Sequence, residues 1–381
     1  MKTTVCLGQP SWQFASNKTE AAITQLGGQL APVSFRLPQG VVEPFSVAPW
    51  AEEPATSKLV PLLRALRGDF FCTPFGGNET PYRGESHPPH GETANAVWKF
   101  ESLGNVEDKT TLHLSLAPTI RPGRVDKFIQ LRENETTLYC RHIISGMSGR
   151  LPVGHHAILK FPLEAESGNL STSKIRFAQV CPTAFENPEQ GGYSSLKPGA
   201  EFSRMERVPK ADGSHADLSR YPTGRGFDNL VMLVHEARPD FAWSAVTFPQ
   251  QRYVWFALKD PRVLRNTILW MSNGGRHYAP WSGRHVNILG VEDVTAYFHY
   301  GLAESVRSNP VNRRGFATSV LIPKNKPFTV NYIMAVAEIP RGFEKVQAIE
   351  AGDGHVTLIS TGNHRVLVPM DTGFLGETAL E

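Results

Sequence analysis

The chain has 381 residues and a net charge of +3, from 39 basic and 36 acidic residues scattered along its length. That dispersal excludes the basic footprint of a nucleic-acid binder and a polybasic membrane anchor. The apolar share of 40 % and the charged share of 20 % fit an ordinary globular protein.

The 33 glycines and 29 prolines favour many short strands joined by turns over long helices. Cys6, Cys72, Cys140 and Cys181 have no CxxC spacing and are too sparse for a disulfide scaffold. They read as free thiols in a reducing compartment, and for Cys140 and Cys181 a buried structural role is favoured over a nucleophilic one. The first residues lack the apolar stretch of a signal peptide, and no run of about 18 apolar residues occurs, so a cytoplasmic protein without a membrane partner is expected.

The predicted elements begin with a weak helical pattern over Ser16 to Leu26. A stronger one covers Thr56 to Leu66, with Leu59, Leu62, Leu63 and Leu66 at helical spacing and Pro61 in its first turn. From there the chain reads as strands. Thr110 to Leu116 alternates with period two, and Lys127 to Leu131 and Leu138 to Cys140 flank a polar turn. Further strands are predicted at His155 to Phe161, Asn229 to His235, Tyr253 to Leu258, Thr267 to Met271, Val294 to Tyr300, Phe328 to Ala337 and His355 to Ser360. Gly191 to Ala200 reads as a surface loop. The expected organisation is an N-terminal appendage, residues 1–54, packed on one large antiparallel domain, residues 55–381.

Four segments depart from this strand patterning. Gly68 to Trp98 is dense in proline, glycine and aromatics, a composition that carries function when held on a rigid scaffold. Its His87 and His90 form an HxxH pair, a weak metal signal with no further ligand cluster nearby; His90 as a hydrogen-bonding site residue is favoured, and no metal is expected. Leu151 to Pro162 contains the adjacent His155 and His156, which in a strand point to opposite faces, so at most one faces a given site. Arg225 to Leu233 opens an apolar strand with Asp228. Ile268 to Tyr300 gathers Trp270, Arg276, His277, Tyr278, Trp281, Arg284 and His285 and then delivers Glu292 after Ile288-Leu289-Gly290-Val291. Aromatic faces that can hold a sugar ring, with charged groups for its hydroxyls, make this a carbohydrate-like inventory, and a carboxylate at the mouth of an apolar strand can be a tuned base.

In their order and spacing, these segments resemble the galactose mutarotase (aldose 1-epimerase) superfamily. The resemblance rests on His90-Gly91 followed by Trp98, on Pro152-Val153-Gly154-His155-His156, on Phe227-Asp228, and on the apolar run closed by Glu292, and it covers about Pro61 to Ala337. It implies an all-β supersandwich of antiparallel strands with few short helices. It also implies that Glu292 is the general base and His156 the acid, with His90 and Asp228 binding sugar hydroxyls, and that no cofactor is needed. Trp270, Arg276 and Trp281 are further candidates for substrate contact. Close relatives carry an arginine shortly after the His-Gly pair, where this chain has Glu92-Thr93-Ala94-Asn95; that departure, with the extra terminal lengths, marks a divergent branch.

The expected activity is aldose 1-epimerase-like conversion of the anomers of a small-molecule carbohydrate. The competing expectations are a non-catalytic sugar-binding protein and a lyase or glycoside-processing enzyme on the same fold. A lyase would draw on Arg276, Tyr278 and Arg284. A hydrolase would pair Glu292 with Asp228 or Glu92 across roughly 5–9.5 Å. No feature sets an oligomeric state.

Overall fold

The computed structural model describes residues 1–378, and within them the chain is nearly all antiparallel β. Two large sheets face each other. One has nine strands, in the order Arg220–Tyr221, Gly168–Thr172, Ala242–Phe248, Tyr253–Lys259, Phe328–Glu338, Thr137–Ser145, Arg124–Arg132, Lys109–Leu116 and Lys99–Val106. The other has six, in the order Ile175–Val180, Phe227–His235, Asn266–Asn273, Ile288–Thr295, Val153–Lys160 and Phe71–Cys72. Side chains of one parity from each sheet, among them Val231, Leu269, Val291, Ala157, Trp255, Met334 and Val330, build the main core between them.

Both sheets are covered on their outer faces too, which is why their central strands read as continuous apolar runs rather than as a clean alternation. On the nine-stranded sheet, Phe256, Leu258, Ile333 and Ala335 pack against Val356, Leu358 and Val368 of a C-terminal three-stranded sheet, Val346–Gly352, His355–Ser360 and Arg365–Pro369. The first 42 residues form a separate five-stranded sheet. Its Trp12, Phe14, Ile23, Val33 and Phe35 join the main core beside Leu112, Leu114 and Ile129. The outer face of the six-stranded sheet is covered by loops and carries the candidate site.

Three sequence readings are corrected. Ser16 to Leu26 is not helical; Thr19–Thr24 is a strand paired on both sides, because burial of Ala21, Ala22 and Ile23 in the sheet outweighs their local propensity. Thr56 to Leu66 is not one helix. It breaks into a 3-10 turn, Pro54–Lys58, and a five-residue helix, Pro61–Ala65, since the residue before a proline is pushed out of the α region and Val60 sits at ψ 148°. The strand expected at Val294 to Tyr300 is instead Ile288–Thr295, and Phe298 is turned into the left-handed region at φ 47°. Glu292 therefore lies within a strand rather than at its mouth.

Between the two large sheets runs a buried polar layer. Lys259 and Asp293 form an ion pair with both side chains fully buried, while Asp293 also accepts from Tyr332 (2.8 Å) and Thr267 (2.6 Å). All four cysteines are free; Cys72, Cys140 and Cys181 are buried, and burial pushes their thiols up, away from nucleophilic use. Among the described residues, no helix is long and apolar enough to cross a membrane.

Candidate active site

The period of two along each strand sends His156, Glu292, Trp270 and Leu230 to the outer face of the six-stranded sheet. His156 and Glu292 are direct partners in the register of neighbouring strands, so their side chains rise together and His156 Nε2 lies 3.3 Å from Glu292 Oε1. The preceding and following residues point inward: His155 bonds Asp69 through Nδ1 at 2.8 Å and stacks on Tyr332 in the core. Of the adjacent histidines, only His156 reaches the outer face.

A cavity of about 120 Å³ opens over this pair. Loops supply the other walls: His90 with Phe70 and His299, then Phe185 with Arg276 and Trp281, and finally Leu62, Leu63 and Leu66 from the short helix and its exit. His90 adopts a positive φ of 60°, and Gly91 one of 75°. A Cβ at Gly91 would sit 2.1 Å from the carbonyl oxygen of Thr73, so only glycine fits at position 91. The turn delivers the His90 ring edge-on to His156 at 5.2 Å and to Phe75 at 4.9 Å.

Gly290 explains the break in the apolar run before Glu292. A Cβ there would lie 3.0 Å from Glu292 Oε1 and 3.1 Å from the Cβ of Trp270, closer than ordinary contact. Gly290→Ala is expected to leave the fold intact but displace the carboxylate or the indole, so any reaction that uses this pair would lose about 10²-fold in kcat, as small misplacements do. Steady-state kinetics beside a thermal melt separates this from unfolding, and unchanged kcat would mean that the space has no catalytic consequence.

Burial sets the protonation of the pair. It pushes the Glu292 carboxyl up to about 8, against the pull of Arg276. Burial, then the nearby His90, holds His156 well below the usual histidine range. His90 and His299 are likewise lowered, to about 3 and about 4, chiefly by burial. The Nδ1 atoms of His90, His156 and His299 are buried without a partner in the protein, an unusual concentration of open hydrogen-bonding positions in one place.

Arg276 is the only cation lining the cavity. Its guanidinium lies over the rings of Trp281 (4.5 Å), Trp270 (5.2 Å) and Phe185 (5.2 Å). Its Nε donates to Glu186 at 2.6 Å and lies 3.6 Å from Asp228. Burial works against its charge, but the two carboxylates outweigh that and raise its pKa above the usual value. Asp228 itself is buried behind this arginine. It accepts from the backbone N–H groups of Asn273 (3.1 Å) and Gly275 (2.8 Å) and from Trp270 Nε1 (3.4 Å), so it holds the turn that carries Arg276 and does not line the cavity. The Gly191 to Ala200 loop braces the same turn, with Tyr193 N bonded to Gly275 O at 2.8 Å and Asp228 N to Tyr193 O at 2.8 Å.

The remaining candidates point elsewhere. His87 bonds Glu85 at 2.8 Å, and among the described residues no group of three or more His, Cys, Asp or Glu side chains could hold a metal. Arg284 pairs with exposed Glu53, and Tyr278 donates to Glu186 at 3.0 Å. Glu92, which follows the His-Gly pair, caps the backbone of Thr119 and Ile120. Leu62, Leu63, Leu66, Phe70, Phe185, Glu186 and His299 were not legible as site residues. The leucines carried a helix-like spacing, and His299 had only its place in an aromatic stretch after Glu292.

No family profile and no curated protein matches the sequence. Solved structures do. A galactose mutarotase-like protein from Clostridium acetobutylicum superposes with a TM-score of 0.57 over 89 % of this chain and 98 % of that one, at 11 % identity. A protein from Escherichia coli K12, provisionally named an aldose 1-epimerase, gives 0.56 over 86 % and 99 %, also at 11 % identity. The chain has the galactose mutarotase-like fold. A provisionally named aldose 1-epimerase from Klebsiella pneumoniae has the same mutarotase-like architecture, with a TM-score of 0.56, 10 % identity, and coverage of 84 % of this chain and 77 % of that one. At such identities the likeness establishes the fold and its divergence, and the chemistry must be argued from the side chains.

Proposed function

We propose that the protein is a carbohydrate-binding enzyme that interconverts the anomers of a monosaccharide, as an aldose 1-epimerase does. The reading rests on the His156–Glu292 pair, 3.3 Å apart and facing a small aromatic-walled cavity. Opening a sugar ring removes a proton from the anomeric hydroxyl and delivers one to the ring oxygen as the bond between C1 and that oxygen breaks. A base and an acid on opposite sides of the sugar were expected; His156 and Glu292 instead stand side by side on neighbouring strands, and because both oxygens are bonded to C1 the two groups can reach them together. The carbonyl carbon then turns, and closure in reverse gives the other anomer.

Glu292 is assigned as the base at the anomeric hydroxyl and His156 as the acid at the ring oxygen. The pair needs one proton in all. At neutral pH that proton rests on Glu292, because burial disfavours the charged form of each group. The carboxyl and the imidazole are close enough to pass it between them, so the pair titrates as a unit. His90 supplies a further hydrogen-bonding group to the substrate, and Trp270 and Trp281 supply apolar ring faces. Arg276 orients polar substituents.

The side chains speak against the alternative enzymes. Among the described residues, Glu292 is the only carboxylate lining the cavity, whereas glycoside hydrolysis uses two. A lyase needs an arginine free to neutralise a carboxylate, but the charge of Arg276 is already met by Glu186 and Asp228, Arg284 pairs with Glu53, and Tyr278 donates to Glu186. The non-catalytic sugar-binding alternative is favoured by the missing arginine after the His-Gly pair, and it gives no reason for an imidazole and a carboxyl to stand 3.3 Å apart at the cavity.

The test is the approach of freshly dissolved α-anomers to equilibrium, followed by polarimetry. His156→Asn and Glu292→Gln are each expected to lower kcat about 10²–10⁴-fold. The double variant should lose little more than the worse single, because the two act as a unit. Rates unaffected by either change would remove these residues from the chemistry.

A further inference from the structure

We infer that the cavity is built for a small uncharged sugar with a hydrocarbon edge, of the 6-deoxyhexose class, and that the leucine wall supplied by the segment Pro61–Leu66 enforces this choice. The inference rests on the proposed sugar site and adds the class of sugar it takes.

The wall formed by Leu62, Leu63 and Leu66 contributes no hydrogen-bonding side chain; the charged and imidazole groups, His90, His156, Arg276, Glu292 and His299, and the indoles of Trp270 and Trp281 come from elsewhere. An ordinary aldohexose carries a hydroxyl on its exocyclic carbon as well as around the ring. A hydroxyl brought against three leucines is desolvated with nothing to bond, whereas a methyl there is buried favourably.

The wall is fixed in place. Each carbonyl from Leu62 to Leu66 accepts a bond from outside the helix: Gln29 Nε2 to Leu62 (3.3 Å), Trp50 Nε1 to Leu63 (2.8 Å), Gln9 Nε2 to Arg64 (3.2 Å), Arg67 Nε to Ala65 (3.0 Å) and the Ala48 backbone N–H to Leu66 (3.0 Å). The Leu62 N–H donates to Asn95 Oδ1 at 3.1 Å, tying the wall to the His90-Gly91 turn. Gln9 belongs to the N-terminal sheet and Gln29 to a turn between two of its strands, so that part of the chain shapes the cavity although none of its own side chains enters it.

Size and charge narrow the class. A volume of about 120 Å³ is small beside the roughly 300–1,000 Å³ of drug-sized ligand sites, and it suits one ring rather than a chain. Phosphate or carboxylate would need free positive charge, but the single cation, Arg276, already faces Glu186 and Asp228.

The experiment measures kcat/KM for anomer equilibration of D-fucose and D-quinovose against D-galactose and D-glucose, which differ from them only by the C6 hydroxyl, and against glucose 6-phosphate and glucuronate. It also measures Kd for the same panel by calorimetry. A 6-deoxy sugar is expected to exceed the best hexose by about 10–100-fold, near the limit for rejecting an added hydroxyl in an apolar pocket, with the two anionic sugars poorest. Leu63→Asn should narrow the ratio to within about threefold by improving the hexoses; Leu66→Gln, at the other end of the wall, repeats the test should the first variant fold poorly. A hexose or an anionic sugar preferred by the wild type overturns the inference. If no sugar is accelerated, the epimerase reading falls, and the ratio of Kd values decides this inference alone.

Discussion

Glu292→Gln is expected to stabilise the protein at alkaline pH while removing its catalysis. Burial keeps the Glu292 carboxyl protonated up to about pH 8, against an ordinary value of 4.5. Between those values the folded state holds a proton that the unfolded chain has released. Folding is therefore favoured by this group below pH 4.5, and that support is lost as pH rises through 8. Glutamine has nearly the same shape and never ionises. The variant should match the wild type in urea denaturation near pH 4 and exceed it by roughly 3 kcal/mol at pH 9, taking 1.36 kcal/mol per pKa unit as an upper guide. A variant that is less stable at pH 9 would mean that the carboxylate is held charged by partners, contrary to the apolar surroundings of Phe70, Leu230 and Trp270. The same linkage predicts that kcat/KM falls above about pH 8, as the pair loses its one proton, and stays level down to below the usual histidine range.

The largest loss of stability is expected on the other face of the same strand. Lys259→Met leaves Asp293 in the core without its cation and should cost about 3–5 kcal/mol, the range for breaking one half of a buried ion pair. Tyr332 and Thr267 still donate to Asp293, which keeps the figure toward the lower end. Lys259→Met combined with Asp293→Leu should recover most of it, because apolar groups of similar volume often replace such a pair at little cost. Urea unfolding of the three proteins at pH 7 checks this. A single variant as stable as the wild type would mean that the buried ion pair contributes nothing to stability.

The catalytic candidates mark what the sequence could and could not tell. Glu292 stood out as a carboxylate closing an apolar run; strand alternation put His155 and His156 on opposite faces, and only the family resemblance picked His156. Their pairing was not legible, since it depends on the register between strands 136 residues apart in numbering, 156 to 292. The all-β architecture followed from turn chemistry and short apolar runs. The leucines from Leu59 to Leu66 misled because spacing at three and four residues fits a helix, while one proline breaks it and turns Leu62, Leu63 and Leu66 toward the cavity. Asp228 was visible as a carboxylate opening a strand, but its backbone partners at Asn273 and Gly275 come from a turn 45 residues later. Glu186 and Phe185, which hold Arg276, carried no local pattern at all.

The most direct measurement is exchange between the α and β anomers of a sugar at equilibrium, read by saturation-transfer proton NMR with catalytic amounts of protein. The wild type is expected to raise the exchange rate well above that of buffer, while Glu292→Gln, folded and binding the same sugar, lowers that enhancement about 10²–10⁴-fold. Wild-type protein that binds a sugar yet leaves exchange at the buffer rate would contradict the account and make the His156–Glu292 pair part of a binding site only.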